Sequence, residues 1–517
     1  MNIIAKLFLA LTIFNVSCNG QGAPWTPEET LNIYNKLYFL ASRPSQVINQ
    51  YVQLYPEFDF ETYTEHTRPN APKMLRLGFH DCIPYADAKD GELTGCDGCL
   101  NSHGMLTNVL EYYNTDANEY NAPNLLETDN NGLMFTADVL EEIYTNPHFP
   151  QGVTTEALPM SMKESGKSRA DLWAFAALVA SKYGIDNNNL ACAGEPRTTC
   201  GYVYHFESDC TLEWDQPPPF KTGRKDCTPD PNLSRPFITL RPEIHPNVQG
   251  NGPETVDYYS ANFNFTAREA IALMEGAHAF GTFNLEISMR PYSWTREQQR
   301  LLNNQMFRNA ASRPQYYMDC DGSEDPENFL LVGDVHGNVP DTTWRVKALG
   351  FQKDGGPFHW FHTWDRCPSQ QECDTNAEGI TPKTCCQNLD DGKHCQASCQ
   401  RLREGPPNRE TALAVDIGLY QKFETDPVTG KPFGCPGFDT DWMSGRSRRS
   451  KVTKCQREDY APEGETLFSI MDDYADNAQK WMDDFFVVLD KMSSNGYNGN
   501  ELNVNPFNVG DFPAIEN

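Results

Sequence analysis

Basic residues are in short supply: 42 Lys and Arg stand against 71 Asp and Glu in 517 residues, a formal net charge of −29. A field of that sign repels phosphate backbones and anionic lipid headgroups, which argues against a nucleic-acid partner and favours neutral or cationic small substrates and metal ions. Long apolar runs are missing too: beyond the N-terminal stretch nowhere do about 18 apolar residues stand together, so no membrane span is expected. The chain has no internal repeat, no sustained low-complexity tract and no clean linker. These absences argue against a fibre, a disordered chain or a string of separate domains.

What the chain does contain is the material of one large globular unit. Hydrophobic residues make up 39% and aromatics 12%, enough for a core, while 36 Gly and 36 Pro imply many turns and long loops. Residues 1–20 have the form of a secretory signal peptide, with Lys6 ahead of an apolar stretch over 7–14 and small or polar residues through Ser17, Cys18, Asn19 and Gly20. The expected product is a secreted, extracellular chain over residues 21–517. Cysteine usage agrees, because 17 less Cys18 leaves 16, an even number that admits up to eight disulfides. The sequons at Asn232 and Asn264 are candidate glycan sites in that compartment. Arg446, Ser447, Arg448 and Arg449 form a basic patch open to two readings, a solvated loop or a processing site.

Apolar periodicity predicts helices over 26–51, 72–82, 132–144, 168–183, 266–280 and 467–492. Two stretches, about 184–220 and 319–408, are rich in Cys, Pro, Gly and Asp, the composition of disulfide-stapled loops inserted into the helical unit.

Two of these helices carry reactive side chains. In the segment Met74-Leu75-Arg76-Leu77-Gly78-Phe79-His80-Asp81-Cys82, Arg76 and His80 stand four residues apart on one helix face, which aims a guanidinium and an imidazole into the same space. A second helix opens with Thr266 and Glu269 in a capping-box pattern and continues as an apolar stripe of Ala270, Leu273, Met274 and Ala277. It ends in Glu275-Gly276-Ala277-His278-Ala279-Phe280-Gly281, where small residues around His278 let a flat, bulky group approach the backbone. Tight helix packing around a core histidine is the competing reading of that segment.

Taken together, the two segments resemble the plant, fungal and bacterial haem peroxidase superfamily, with its R-x-x-F-H-D-C distal helix and G-x-H-x-x-G proximal helix. Further segments are similar in the same chain order: Asn130-Asn131-Gly132-Leu133, Ser168-Arg169-Ala170-Asp171, Gly223-Arg224-Lys225-Asp226, 413–419 around Asp416, and 474–492. The resemblance implies a mostly α, two-lobed helical fold with haem b between the distal and proximal helices, plus the disulfide-rich loop insertions. It implies that His278 is the axial iron ligand with Asp416 accepting its other ring N–H, and that His80 is the base that takes a proton from hydrogen peroxide. Arg76 would stabilise the charge that develops as the O–O bond breaks, Asn130 would fix the His80 tautomer, and Phe79 would pack at the haem face.

The resemblance also implies a disulfide between Cys82 and Cys96 and a distal calcium site of Asp81, the Gly95 carbonyl and Asp97. The family usually has a Ser where this chain has Cys99, which is expected to enter another disulfide. Ala279 stands where secreted members carry a Thr, so no second calcium is expected. Trp294 is similar in setting to the tryptophan beside the proximal histidine of intracellular members, where it holds a radical, or else it packs as an ordinary core residue. Within the insertions, His359, Trp360, Phe361 and His362 are open to a substrate entrance, a metal site or a packed strand, and the preferred reading is the strand. Cys385, Cys386, Cys395 and Cys399 read as disulfide cysteines rather than a zinc site.

The function implied is a secreted haem peroxidase that reduces hydrogen peroxide and oxidises small aromatic or phenolic donors in one-electron steps. Two alternatives stay open: a non-catalytic extracellular haem-binding or matrix protein on the same fold, and a specialised haem oxidase acting on a halide or a luminogenic substrate.

Overall fold

The computed structural model describes residues 22–42, 70–89, 95–101, 130, 133–150, 158–193, 203–205, 210–214, 218–229, 231–233, 235–247, 250–281, 300–311, 317–319, 344–347, 359–362, 410–422, 424–425, 432–434, 456–498, 501–505 and 509–512. Helices dominate. In chain order they are α1 (Pro27–Ser42), α2 (Ala71–Asp81), α3 (Met134–Thr145), α4 (Arg169–Cys192), α5 (Gly252–Phe263), α6 (Ala267–His278), α7 (Gln305–Ala310), α8 (Ala414–Gly418), α9 (Leu467–Asp476) and α10 (Ala478–Ser493). None of the described helices is long and apolar enough to cross a membrane.

The hub is α4. Its buried residues point in every direction, Leu172, Trp173, Phe175, Ala176, Val179 and Ala180 among them, and α1, α2 and α3 all pack on it. Gly78 of α2 sets the closest crossing: a Cβ there would meet the Ala177 Cβ at 2.6 Å, so the glycine lets the two backbones approach. On the other side, α6 lies between α5, α9 and α10. Gly276 plays the corresponding part there, with a Cβ at that position meeting Phe485 at 2.7 Å and Trp481 at 2.7 Å. Helices α2 and α6 themselves touch.

Two expected boundaries move, each for a physical reason. The helix expected to stop at residue 183 runs on to Cys192, so the first part of the 184–220 stretch is helical. Its polar residues are satisfied inside the core rather than by a loop: Lys182 pairs with Asp186 at 2.9 Å, Asn187 donates to the Tyr183 carbonyl, and Asn188 donates to the Cys210 carbonyl. The helix expected over 467–492 is two helices broken at Asn477, whose side chain accepts from the Lys480 N–H and so starts α10 afresh. Helix α5 was not legible from periodicity, although Asn251 caps it by accepting from the Glu254 N–H.

The motifs Ser168-Arg169-Ala170-Asp171 and Gly223-Arg224-Lys225-Asp226 form one buried knot. Asp171 accepts the N–H groups of Gly223 and Arg224 and pairs with the Arg224 guanidinium at 2.9 Å, while Arg224 also donates to the Ser493 carbonyl. These residues clamp the start of α4 to the end of α10, a structural role. The described strands are short. β1 (Leu100–Asn101) and β2 (Ile238–Thr239) pair in parallel, and β3 (Trp344–Lys347), β4 (His359–His362) and β5 (Glu410–Leu413) form an antiparallel sheet in which Trp360 is in register with Val346 and Ala412. The expected strand over His359 to His362 is thus observed.

Disulfides join Cys82 to Cys96, Cys99 to Cys227 and Cys192 to Cys210. The first is the implied bridge, and the second is the diversion expected of Cys99.

A candidate active site between two histidine helices

His80 lies in the last turn of α2, four residues after Arg76. Its Nδ1 is 2.8 Å from Asn130 Oδ1, and its Nε2 receives the Arg76 Nε–H at 3.3 Å. The tautomer follows from the surroundings of Asn130. The Asn130 amide nitrogen donates to the Asn101 carbonyl and to Glu243 Oε2, so its oxygen must face the imidazole, and His80 Nδ1 carries the proton. His80 Nε2 therefore keeps its lone pair, in agreement with the guanidinium N–H pointed at it. Burial first, then the Arg76 charge, hold the imidazole well below its usual basicity, against a smaller raising effect of the Asn130 hydrogen bond. The result is a neutral base next to a fixed positive charge.

His278 ends α6. Its Nδ1 lies 2.8 Å from Asp416 Oδ1, a carboxylate only 1% exposed. The carboxylate cannot donate, so Nδ1–H does, and Nε2 is the ring nitrogen on the far side from Asp416. Asp416 belongs to the first turn of α8, and Gly418 at the end of that helix abuts Gly252 at the start of α5, where a Cβ would meet the Gly418 carbonyl oxygen at 2.4 Å. The pair of glycines presses α8 onto α5 and so holds Asp416 under His278. In α6, residues 270–276 are all buried, whereas the His278 side chain keeps 25% of its surface accessible. Arg76, Phe79 and His80 are likewise half-buried on a helix whose other residues are mostly sealed.

Beside this pair sits an unexpected group. Glu275, one turn before His278, is 0% exposed, and neither carboxyl oxygen has a hydrogen-bond partner among the described residues. Burial, reinforced by the Asp416 charge, raises its pKa well above the ordinary range, so the carboxyl is held neutral.

The expected calcium residues also converge. Asp81 Oδ1 accepts the Gly98 N–H at 2.7 Å and the Cys99 N–H at 3.2 Å, and Asp97 accepts from the Tyr85 hydroxyl at 3.1 Å. Both carboxyls are buried close together. Burial and the Asp97 charge push Asp81 well up, and burial pushes Asp97 up to about 7. Gly95 adopts a left-handed backbone with φ 94° against the Cys82 peptide, where a Cβ would lie 2.6 Å from Cys82 backbone atoms. Asp97, Cys99 and Cys227 are the group of metal-capable side chains that cluster among the described residues, yet the two sulphurs are joined in a disulfide and supply no thiolate.

Sequence reasoning missed Glu243 and His245. The parallel pairing of β1 with β2 brings the 241–245 segment to the end of α2, and the Ile244 N–H donates to the Pro84 carbonyl to fix it there. Glu243 Oε2, already an acceptor for Asn130, also lies 2.7 Å from His245 Nε2. No short-range pattern advertises residues brought together from 113 positions apart; the only local hint is the Pro242-Glu243-Ile244-His245-Pro246 punctuation.

Trp294, Asn131, Gly132, the Arg446 patch, Cys385, Cys386, Cys395 and Cys399 and most of 319–408 lie outside the described residues.

The described site presents two imidazoles, each held by a dedicated oxygen acceptor, from two helices in contact. The profile of the family described as "Peroxidase" matches residues 58–331, which is 274 of 517 residues, and the chain belongs to that family. The match takes in Arg76, His80, Asn130 and His278 and ends before Asp416. No curated protein matches the chain. Family membership carries oxidoreductase chemistry on peroxide at the level of the superfamily.

Proposed function

We propose that this protein is a secreted haem peroxidase that reduces hydrogen peroxide and oxidises small aromatic or phenolic donors in one-electron steps. The observation that carries the reading is the matched pair of contacts, His80 Nδ1 on Asn130 and His278 Nδ1 on Asp416, in which an oxygen acceptor behind each ring holds its Nδ1–H. The donor set fits haem b: an imidazole backed by a carboxylate suits iron, and the accessible His278 edge that follows the buried run 270–276 is what a ligand to a planar group requires. Haem bound at His278 Nε2 would supply the redox chemistry.

The side chains then divide the work. His80 Nε2 takes the proton of hydrogen peroxide and returns it to the departing oxygen, so that water leaves rather than hydroxide. Arg76, always charged, holds the negative charge that builds on that oxygen. Asn130 keeps the proton on His80 Nδ1, and Phe79 packs against the face of the bound group. Asp416 holds the His278 N–H and makes its Nε2 a stronger electron donor. Trp294 is carried over from the resemblance as a candidate radical site or an ordinary packing residue. Asp81, Asp97 and the Gly95 carbonyl hold one Ca²⁺, a cation that relieves the mutual repulsion of two buried carboxylates. Residues 1–20 are read as a signal peptide and 21–517 as one peroxidase domain with insertions about 184–220 and 319–408.

Titrating the purified protein with haem and following the ferric absorption band tests this reading. The expected result is one haem per chain with a histidine-ligated spectrum, and an altered or absent ligation in His278→Ala. An unaltered coordination spectrum in that variant would overturn the assignment.

A further inference from the structure

The turn between α5 and α6 carries a motif that the proposed reaction leaves unused: Asn264-Phe265-Thr266, an acceptor pattern for an N-linked glycan. Burial alternates along it. Phe263, Phe265 and Ala267 are buried, while Asn264 and Thr266 between them are exposed. The two phenylalanine rings lie 5.4 Å apart between centroids, and both pack on Tyr259 of α5, at 5.9 Å for Phe263 and 6.0 Å for Phe265. They anchor the turn in the core and leave Asn264 at its exposed apex.

Asn264 ends α5 in a left-handed conformation, φ 53° and ψ 39°, which Gly and Asn adopt more readily than other residues. Its backbone is engaged on both sides: the N–H donates to the Ser260 carbonyl at 3.0 Å, and the carbonyl accepts from Lys491 Nζ at 2.8 Å. Its side-chain amide has no hydrogen-bond partner among the described residues. Two nearby asparagines differ in this respect, since Asn251 caps α5 and Asn262 donates to the Tyr258 carbonyl. The two helix ends ask only for Gly or Asn at 264 and for a capping side chain at 266. The pair present is the one that also forms a glycan acceptor. Thr266 Oγ1 accepts the Glu269 N–H at 3.2 Å and so is occupied once α6 forms, which places attachment before that helix closes. His278 stands at the opposite end of α6, roughly 16 Å away at about 1.5 Å per residue, so a glycan on the turn leaves the site open.

We propose that Asn264, the idle amide at the apex of the α5–α6 turn, carries an N-linked glycan. Asn264 Nδ2 forms a bond to C1 of the first sugar, the C1–O bond to the diphosphate of a lipid-linked oligosaccharide breaks, and the amide proton leaves with the diphosphate; nothing is oxidised or reduced. That sugar donor belongs to the secretory compartment. The inference therefore rests on the secretory reading of residues 1–20 and is independent of haem.

The test uses the full chain expressed in a glycosylating eukaryotic host and treated, in heavy-oxygen water, with the amidase that releases N-linked glycans. Peptide mass spectra should then show residue 264 as an Asp carrying the heavy oxygen. Thr266→Asn removes the acceptor pattern but keeps a side chain that caps α6, and its Asn264 should be recovered unlabelled. Asn264→Gly keeps the left-handed turn, and its intact mass should fall by one glycan. Thr266→Ser keeps both the cap and the acceptor and should retain the label. An unlabelled Asn264 in a secreted chain that has lost residues 1–20, or a label that persists in Thr266→Asn, would overturn the inference and leave the secretory reading standing. A chain kept inside the cell with residues 1–20 attached overturns both.

Discussion

The two sides of the site set the same side chain in different surroundings, and the difference lies in what stands behind each ring. His80 leans on a neutral amide, Asn130, and has a guanidinium at its other nitrogen. His278 leans on a buried carboxylate, Asp416, with the neutral Glu275 carboxyl nearby. An amide fixes a tautomer without adding charge, so His80 stays a mild base free to gain and lose a proton. A carboxylate fixes the Nδ1–H and also pushes electron density through the ring, which suits His278 to the proposed role of iron ligand. Sequence spacing alone gives two histidines; their partners are what distinguish the proposed base from the proposed ligand.

The largest effect is expected from removing the base. His80→Ala should slow peroxide activation by about 10²–10⁴-fold with haem still bound, measured by stopped-flow absorbance. An unchanged rate would dissolve the contrast between the two sides. Next comes the carboxylate: Asp416→Asn makes the His278 side resemble the His80 side. It should raise the reduction potential of the bound haem and lower turnover by about 10–100-fold, and an unmoved potential would mean that the carboxylate does not tune the ligand.

Calcium is expected to matter less, at about 3 kcal/mol when present at 100 times its dissociation constant. Asp97 is raised to about 7 and Asp81 is raised as well, so the native state binds protons that the unfolded chain has released. Without calcium, stability falls as the pH rises from about 4 through 7; calcium replaces those protons and removes the fall, while its affinity drops as the pH falls below about 7. Thermal unfolding with calcium and with a chelator across that range checks both signs, and identical curves would argue against the site.

The smallest effect concerns Glu275. Its folded pKa is raised from 4.5, so stability falls as the pH rises above that value, and the fall is complete once the folded pKa is passed. Glu275→Gln should remove this contribution, and Glu275→Met should stabilise by about 1–3 kcal/mol by relieving a buried, unpaired carboxyl. A destabilised Met variant would show that the carboxyl has a partner that matters to the fold.

The parts legible in the sequence were those written locally. Helix periodicity located α2, α3 and α6, and the i, i+4 spacing of Arg76 and His80 placed their side chains in contact. The capping box at Thr266 and Glu269 is present in both halves. The parts not legible depend on distance along the chain. Asn188 looks like a loop residue until Cys210 and Asn303 are seen to bond with it. Glu243 looks like a charge between two prolines until strand pairing sets it against Asn130. Asn477 breaks a continuous apolar stripe by capping, which the stripe itself conceals.

The most direct test of the division between the two histidines is the absorption spectrum of the haem-loaded protein before and after one equivalent of hydrogen peroxide, followed by a phenolic donor. Conversion of the ferric band by peroxide and its return on adding the donor is the predicted result. A ferric band indifferent to peroxide, with His278 ligation intact, would contradict it by leaving a haem-binding protein with no working base at His80.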